Sequence, residues 1–226
     1  METQKPAVVR MGLDLDGTLY EVTEEMQYGR IRALIYQKLA QEFSISEEEA
    51  RNFFETFYNE LKSGGKAIRK IAAHLQKPET KRKIVQEALN EANVTNLMQP
   101  DPGLVRIIKR LSSAREISII TGSNLALAIK KLEKIGFANP YKFFTSILAD
   151  EHGQKSDGAI YRLWLSQTKV VPPENHFYVG DNDESDIAVP KSLGIQTCYI
   201  NHSGKTCAHA DFNISSIGEL EKILRL

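Results

Sequence analysis

The chain has 226 residues, 42% of them hydrophobic and 26% charged, an ordinary composition for a soluble globular protein with one large domain or a core plus a smaller unit. Its 29 basic and 29 acidic residues cancel, which removes the electrostatic case for a nucleic acid polymer or an anionic membrane as partner. Two cysteines, Cys198 and Cys207, are too few for a disulfide framework and stand in no Cys-x-x-Cys pair, so the chain is expected in the cytoplasm, without thiolate zinc.

In chain order, the first predicted element is a short buried strand over Val8 to Leu15, ended by the turn pair Asp16-Gly17. About 80 residues without a convincing strand follow. Ile31, Leu34, Ile35, Leu39 and Phe43 fall at helical spacing and predict a helix from Glu24 to Phe43. Ser46 with Glu49 is a capping box opening a second helix through Asn52 to Leu61. Ser63-Gly64-Gly65 reads as a break, with helices expected from Lys66 to Leu75 and from Glu79 to Ala92. Tyr28, Phe53, Phe54 and Tyr58 fit the core of this helical block. Lys62, Lys66 and Arg69 flank its break, where solvated helix ends and substrate contacts are equally good readings. Lys81-Arg82-Lys83 reads as a solvated face.

Beyond Asp101 short apolar runs alternate with helical patterns. Strands are predicted at Glu116 to Ile120, Phe144 to Leu148, His176 to Val179, Ile195 to Ile200 and Phe212 to Ile214. Helices are predicted at Leu104 to Leu111, Leu125 to Ile135, Gly158 to Gln167 and Ile187 to Leu193, with a last one capped by Ser216 and Glu219. This alternation implies an α/β fold with a parallel, Rossmann-like sheet. One strand precedes the helical block and the rest follow it. Residues 21–98 are therefore expected to be a helical insertion, a cap, into a core made of 1–20 and 99–226.

Open parallel sheets bind ligands outside the carboxyl ends of their strands. The first strand delivers Asp14 and Asp16 there, the second Thr121-Gly122-Ser123, and a later one Gly180-Asp181 through Asp186. Lys155 lies in a loop between them. Carboxylates crowded in this way repel one another unless a cation neutralises them, and magnesium favours hard oxygen ligands. With Asp14 and Asp181 on the metal, a substrate phosphate completes the cluster. Lys155 holds that phosphate, and Thr121 with the neighbouring backbone N–H groups at Gly122 donates hydrogen bonds to it. Thr121 taken singly reads more often as a helix cap, and its place in this order favours the phosphate. Asp183 reads as a helix-start acid, and Tyr20 as lining the site mouth or packing on the helical block.

Met11-Gly12-Leu13-Asp14-Leu15-Asp16-Gly17-Thr18, the strand from Ile117 to Thr121, Lys155, and Gly180-Asp181 through Asp186 together resemble the four motifs of the haloacid dehalogenase-like hydrolase superfamily. The resemblance spans Asp14 to Asp186. It implies Asp14 as a nucleophile that forms an aspartyl-phosphate, and Asp16 as general acid and then base. It further implies magnesium held by the Asp14 side chain, the Asp16 carbonyl and Asp181, with the phosphoryl group on Thr121 and Lys155. Two departures stand out. The third motif often reads Lys-Pro, whereas here Lys155 precedes Ser156, leaving His152 and Lys142 as lesser alternatives; and Asp186 is expected in support, paired with Lys155, with Asp183 a further candidate ligand.

The expected activity is that of a magnesium-dependent phosphoric monoester hydrolase acting on a small phosphorylated metabolite, as a monomer or homodimer. The Asp16-Gly17-Thr18-Leu19-Tyr20 run and the size of the helical block look like the pyrimidine 5′-nucleotidase and phosphoglycolate phosphatase branches. Nucleoside monophosphates are favoured, with phosphoglycolate and sugar phosphates open. A phosphomutase, a 2-haloacid dehalogenase and a non-catalytic phosphorylation switch are the alternatives. The presence of Asp16 disfavours the dehalogenase, whose family pattern lacks that second acid.

Overall fold

The computed structural model describes residues 9–23, 26, 30–61, 64–74, 84, 87–88, 94–167 and 171–224. The chain divides into two compact units, one made of Met1–Glu21 with Met98–Leu226 and the other of Val22–Leu97.

In the larger unit, six strands form one parallel sheet. They are β1 (Arg10–Leu13), β2 (Glu116–Ile120), β3 (Ser146–Leu148), β4 (His176–Gly180), β5 (Gln196–Ile200) and β6 (Phe212–Ile214), in the spatial order β3-β2-β1-β4-β5-β6. All four residues of β1 are buried, as are all five of β4. A central strand covered on both faces has no polar side to show, which is why these segments lack period-two alternation. From β1 the chain builds outward to β2 and β3 on one side, then to β4, β5 and β6 on the other. The order therefore reverses at β1, and the crevice between the carboxyl ends of β1 and β4 is the topological switch point.

The helices described in full in the smaller unit are α1 (Arg30–Phe43), α2 (Glu47–Leu61) and α3 (Gly64–His74). Ile35, Leu39, Ala50, Phe54, Ala67, Ile68, Ile71, Ile84 and Ala88 make its core. Phe54 stacks on Tyr58 and meets Tyr36 edge-on, and the Arg32 guanidinium lies 4.3 Å over the Tyr58 ring. The predicted capping box is present: Ser46 N–H and Oγ donate to Glu49 Oε2 at 2.9 and 2.8 Å, and Glu49 N–H donates to Ser46 Oγ at 3.2 Å. The expected division into two helices is observed, one ending at Leu61, but the next begins two residues early. Gly64 and Gly65 form the first turn of α3, where the low helix propensity of glycine costs least because the first N–H groups lack intrahelical partners. Tyr28, Lys62, Lys81-Arg82-Lys83 and most of the predicted Glu79 to Ala92 helix lie outside the described residues, as do the side chains of Lys66 and Arg69.

In the larger unit the remaining helices are α4 (Pro102–Ala114), α5 (Leu125–Lys134), α6 (Ala159–Ser166), α7 (Val189–Ser192) and α8 (Leu220–Ile223). Asp101 caps α4 by accepting from Gly103 and Leu104 N–H at 2.8 and 3.0 Å, an arrangement that stabilises a helix by about 1 kcal/mol. The predicted Ile187 to Leu193 helix differs from what is observed. A π-helical turn, Asp183–Ala188, precedes the short α7 and takes the first two of its predicted residues. No described helix is long and apolar enough to cross a membrane.

Candidate active site

Each sheet edge residue singled out in the sequence reaches the carboxyl end of its strand. Leu13 pairs in register with Ile119 on one side and Val179 on the other, so Asp14, Thr121 and Asp181 leave neighbouring strands at nearly one level. Asp14 is buried, and its own N–H donates to Val179 O at 2.9 Å.

Lys155 arrives from the loop after β3, and its ammonium bridges two carboxylates. It donates to Asp14 Oδ1 and, at 2.8 Å, to Asp186 Oδ1. His152 is occupied elsewhere, its Nδ1 accepting from Ala149 N–H at 3.1 Å, and Lys142 is exposed in a 3-10 turn, Pro140–Lys142. Asp186 is enclosed. Tyr161 and Tyr178 hydroxyls lie 3.2 and 3.3 Å from its Oδ1, and Asn182 N–H donates to its Oδ2 at 3.2 Å. Gly180 makes that position accessible, since a Cβ there would stand 2.4 Å from Asp186 Cβ. Asp183 is exposed at the start of the π-helical turn, and Asn182 caps it by accepting from Glu184 and Ser185 N–H.

Asp14, Asp181 and Asp186 each offer a carboxylate oxygen within 4.8 Å of the other two. Burial and the neighbouring carboxylates raise Asp14 to about 8 against the opposing pull of Lys155. Burial, then Asp186, likewise raises Asp181 to about 7. The same burial would depress Lys155, but Asp14 and Asp186 overcome it and hold the ammonium firmly protonated. Once all three carboxylates are ionised, a single ammonium leaves two negative charges uncompensated, which is why the metal-free site retains protons. A divalent cation with oxygen ligands fits that deficit; Asp186 is engaged by Lys155 and Asn182 N–H, which leaves Asp14 and Asp181 as the side chains better suited to hold it.

Asp16, only two residues from Asp14, has a different environment. Burial would raise its carboxyl, yet Lys131, through charge and hydrogen bond, together with Tyr20 and Ser123 holds it below the ordinary carboxylate range. Lys131 Nζ donates to Asp16 Oδ1 at 2.5 Å, the Tyr20 hydroxyl donates to the same oxygen, and Ser123 Oγ donates to Oδ2 at 3.0 Å. Lys131 and the Asp16 contacts of Ser123 and Tyr20 were not singled out from sequence. One signal was available: Lys131 falls among Leu127, Ala128 and Leu132 on the buried face of α5, where an unpaired lysine is rare. The exposed His202 also reaches the motif, its Nε2 donating to Gly17 O at 3.1 Å.

Thr121 is fully buried, and its Oγ1 accepts from Ser123 N–H at 3.1 Å while its own N–H donates to Leu148 O. Gly17 holds φ at +80°, and Asp181 lies directly against it: a Cβ at Gly17 would be 2.2 Å from Asp181 Oδ2.

Residues 13–200 match the family model of the haloacid dehalogenase-like hydrolases. The chain belongs to this family. Among its relatives is the pyrimidine 5′-nucleotidase YjjG of Escherichia coli, 28% identical over 143 residues, which is 60% of this chain and 63% of the nucleotidase. The match thus spans less than two thirds of that relative. A glyceraldehyde 3-phosphate phosphatase of Methanocaldococcus jannaschii is 25% identical over 221 residues, covering 94% of this chain and 95% of the relative. Solved structures share the fold of this hydrolase. A phosphatase of the family from Thermococcus onnurineus superposes with a TM-score of 0.65 at 22% identity, over 96% of this chain and 97% of its own. The hydrolase YfnB of Bacillus subtilis, solved bound to magnesium, gives 0.62 at 17% identity over 98% and 100%. A 2-haloacid dehalogenase of Pseudomonas syringae gives 0.61 at 19% over 96% and 98%, so the fold by itself does not select the chemistry.

Proposed function

We propose that this hydrolase is a magnesium-dependent phosphatase of small phosphate monoesters that works through an aspartyl-phosphate on Asp14. The observation that carries the reading is the contrast between two aspartates two residues apart. Asp14 sits in a cluster built to receive a cation and an anion, whereas Asp16 is separately held as an acid–base group. The dehalogenase pattern lacks this second acid.

In the first half-reaction an Asp14 carboxylate oxygen bonds to phosphorus and the bond from phosphorus to the leaving oxygen breaks; Asp16, ionised in the resting site, first takes up a proton from solvent and hands it to that oxygen. In the second, the Asp16 carboxylate takes a proton from water as the water oxygen bonds to phosphorus. The bond from phosphorus to Asp14 breaks and inorganic phosphate results. Asp14, Asp181 and the Asp16 carbonyl would hold magnesium, which would offset the carboxylate and phosphoryl charge there. Lys155 holds the phosphoryl group while keeping Asp14 oriented. The Thr121 hydroxyl and Gly122 N–H, for which no described acceptor is present, donate to the phosphoryl oxygens. Asp186 supports Lys155. The helical insertion, residues 21–98, is the counterpart of the cap that the family resemblance implies, and the free thiols Cys198 and Cys207 suit a reducing cytoplasm.

Nucleoside monophosphates remain the favoured substrates, supported by the likeness to the nucleotidase; likeness to the archaeal phosphatase keeps phosphorylated trioses and sugars in view. The test is hydrolysis of p-nitrophenyl phosphate with and without magnesium, followed by phosphate release from nucleoside monophosphates, phosphoglycolate and sugar phosphates. Asp14→Asn abolishes turnover if the proposal holds. Halide release from a 2-haloacid, or phosphate capture without turnover, would refute it.

A further inference from the structure

Lys131 is almost wholly buried, with 4% of its side chain exposed, on a helix whose adjoining residues face the core. Burying an ammonium costs several kcal/mol unless it is paired, so such a residue persists where its partners demand it. The partners of Lys131 are Asp16 Oδ1 at 2.5 Å and Ser123 Oγ at 2.8 Å, and Ser123 is itself bonded to Asp16. An ammonium has only protons to give. Ser123 Oγ therefore accepts from Lys131, and its single proton is directed to Asp16 Oδ2. Lys131 thus fixes one carboxylate oxygen directly and sets the polarity of the hydroxyl that fixes the other.

The lone pairs of Asp16 can then be assigned. Oδ1 accepts from both Lys131 and the Tyr20 hydroxyl, which fills it. Oδ2 accepts from Ser123 alone and keeps one lone pair open. We propose that Lys131 is a positioning residue which, through Ser123 and with Tyr20, orients Asp16 so that its proton transfers take place at Oδ2. This rests on the phosphatase reading above. No phosphoryl contact by Lys131 is required: it acts on the reaction only through Asp16.

Rapid-quench kinetics with p-nitrophenyl phosphate isolate the effect, because nitrophenolate leaves without needing a proton whereas the attack of water on the phosphoenzyme needs a base. Lys131→Met is expected to keep the nitrophenolate burst within threefold of wild type. Phosphate release slows about 100-fold, in line with the loss of one acid–base group, and aspartyl-phosphate accumulates. Ser123→Ala, which removes one oxygen and leaves the ion pair, should show the same skew at about tenfold; it also keeps the proposal testable should the buried Lys131→Met site not fold. A purely structural role lowers both phases together. Equal losses in both phases, or no loss in either, overturn the proposal while Asp14-dependent turnover stands. Nitrophenolate release that survives Asp14→Asn overturns the phosphatase reading and this proposal with it.

Discussion

Replacing Gly17 by alanine should damage the site through a single added methyl group. At φ +80° a residue with a Cβ is strained by about 1–3 kcal/mol. The new Cβ would stand 2.2 Å from Asp181 Oδ2 and 2.7 Å from its Cγ, while real Cβ contacts stay beyond 3.0 Å. Either the turn or the Asp181 carboxylate must retreat by most of an ångström, and a shift of about 1 Å in a reacting group costs on the order of 100-fold in rate. The expected result is a melting temperature lower by roughly 2–12 °C, a weakened magnesium requirement curve and a kcat near one hundredth of wild type. Gly122→Ala supplies the control for stability, since a Cβ there meets nothing within 4 Å, and its melting temperature should stay within about 2 °C of wild type. Thermal melts and magnesium-titrated turnover of both variants measure this. A Gly17→Ala protein with wild-type melting and magnesium dependence would show that the approach of Asp181 to the turn is not what sets the geometry.

Other outcomes follow from the charges. With Asp14 near 8 and Asp181 near 7, a metal-free site at pH 7 holds roughly one to one and a half protons that magnesium must displace. Calorimetry in buffers of different ionisation enthalpy should detect them, and zero proton release would contradict the raised carboxyls. Because both groups lie above their unfolded value of 3.8, the folded protein keeps protons that the unfolded chain has lost between about pH 4 and pH 8. These groups therefore make the metal-free protein less stable as pH rises through that window, and melts in chelator against magnesium should diverge most at its upper end. Asp16, shifted the other way, contributes stability that is lost only as pH falls below its unfolded value. Lys155→Met leaves Asp14 and Asp186 without their shared ammonium and should cost about 3–5 kcal/mol in denaturant unfolding unless magnesium is present to offset part of it.

The legible parts of the fold were those where local sequence carries its own signal. The strands Glu116–Ile120 and Phe212–Ile214 match their predicted limits to the residue, and Ser46 with Glu49 opened its helix as its side-chain chemistry required. Boundaries blurred where glycine has two meanings. Gly64 and Gly65 resemble a break in sequence yet begin a helix, because the packing of Ala67, Ile68, Ile71 and Ala72 outweighs their weak propensity. In the site, Asp14, Lys155 and Asp186 were readable because each lies at a fixed offset from a buried strand, and the chain brings them within contact. The support of Asp16 was not, since it depends on three side chains from two loops and a helix whose meeting is a tertiary event. Tyr20 was left between two uses, and neither was its hydrogen bond to Asp16.

The widened turn at Asp183–Ala188 acts as a ruler. It lets the chain leave β4 with Asp181 at the crevice and swing once around so that Asp186 faces back over Gly180 toward Lys155. Deleting one residue from this stretch would rotate the later acid by about a quarter turn about the helical axis and carry it away from the ammonium. The four residues between the two acids are thus constrained in number far more than in kind. Natural variation in this segment should appear as substitutions at exposed Asp183 and Glu184, and hardly ever as a change of length.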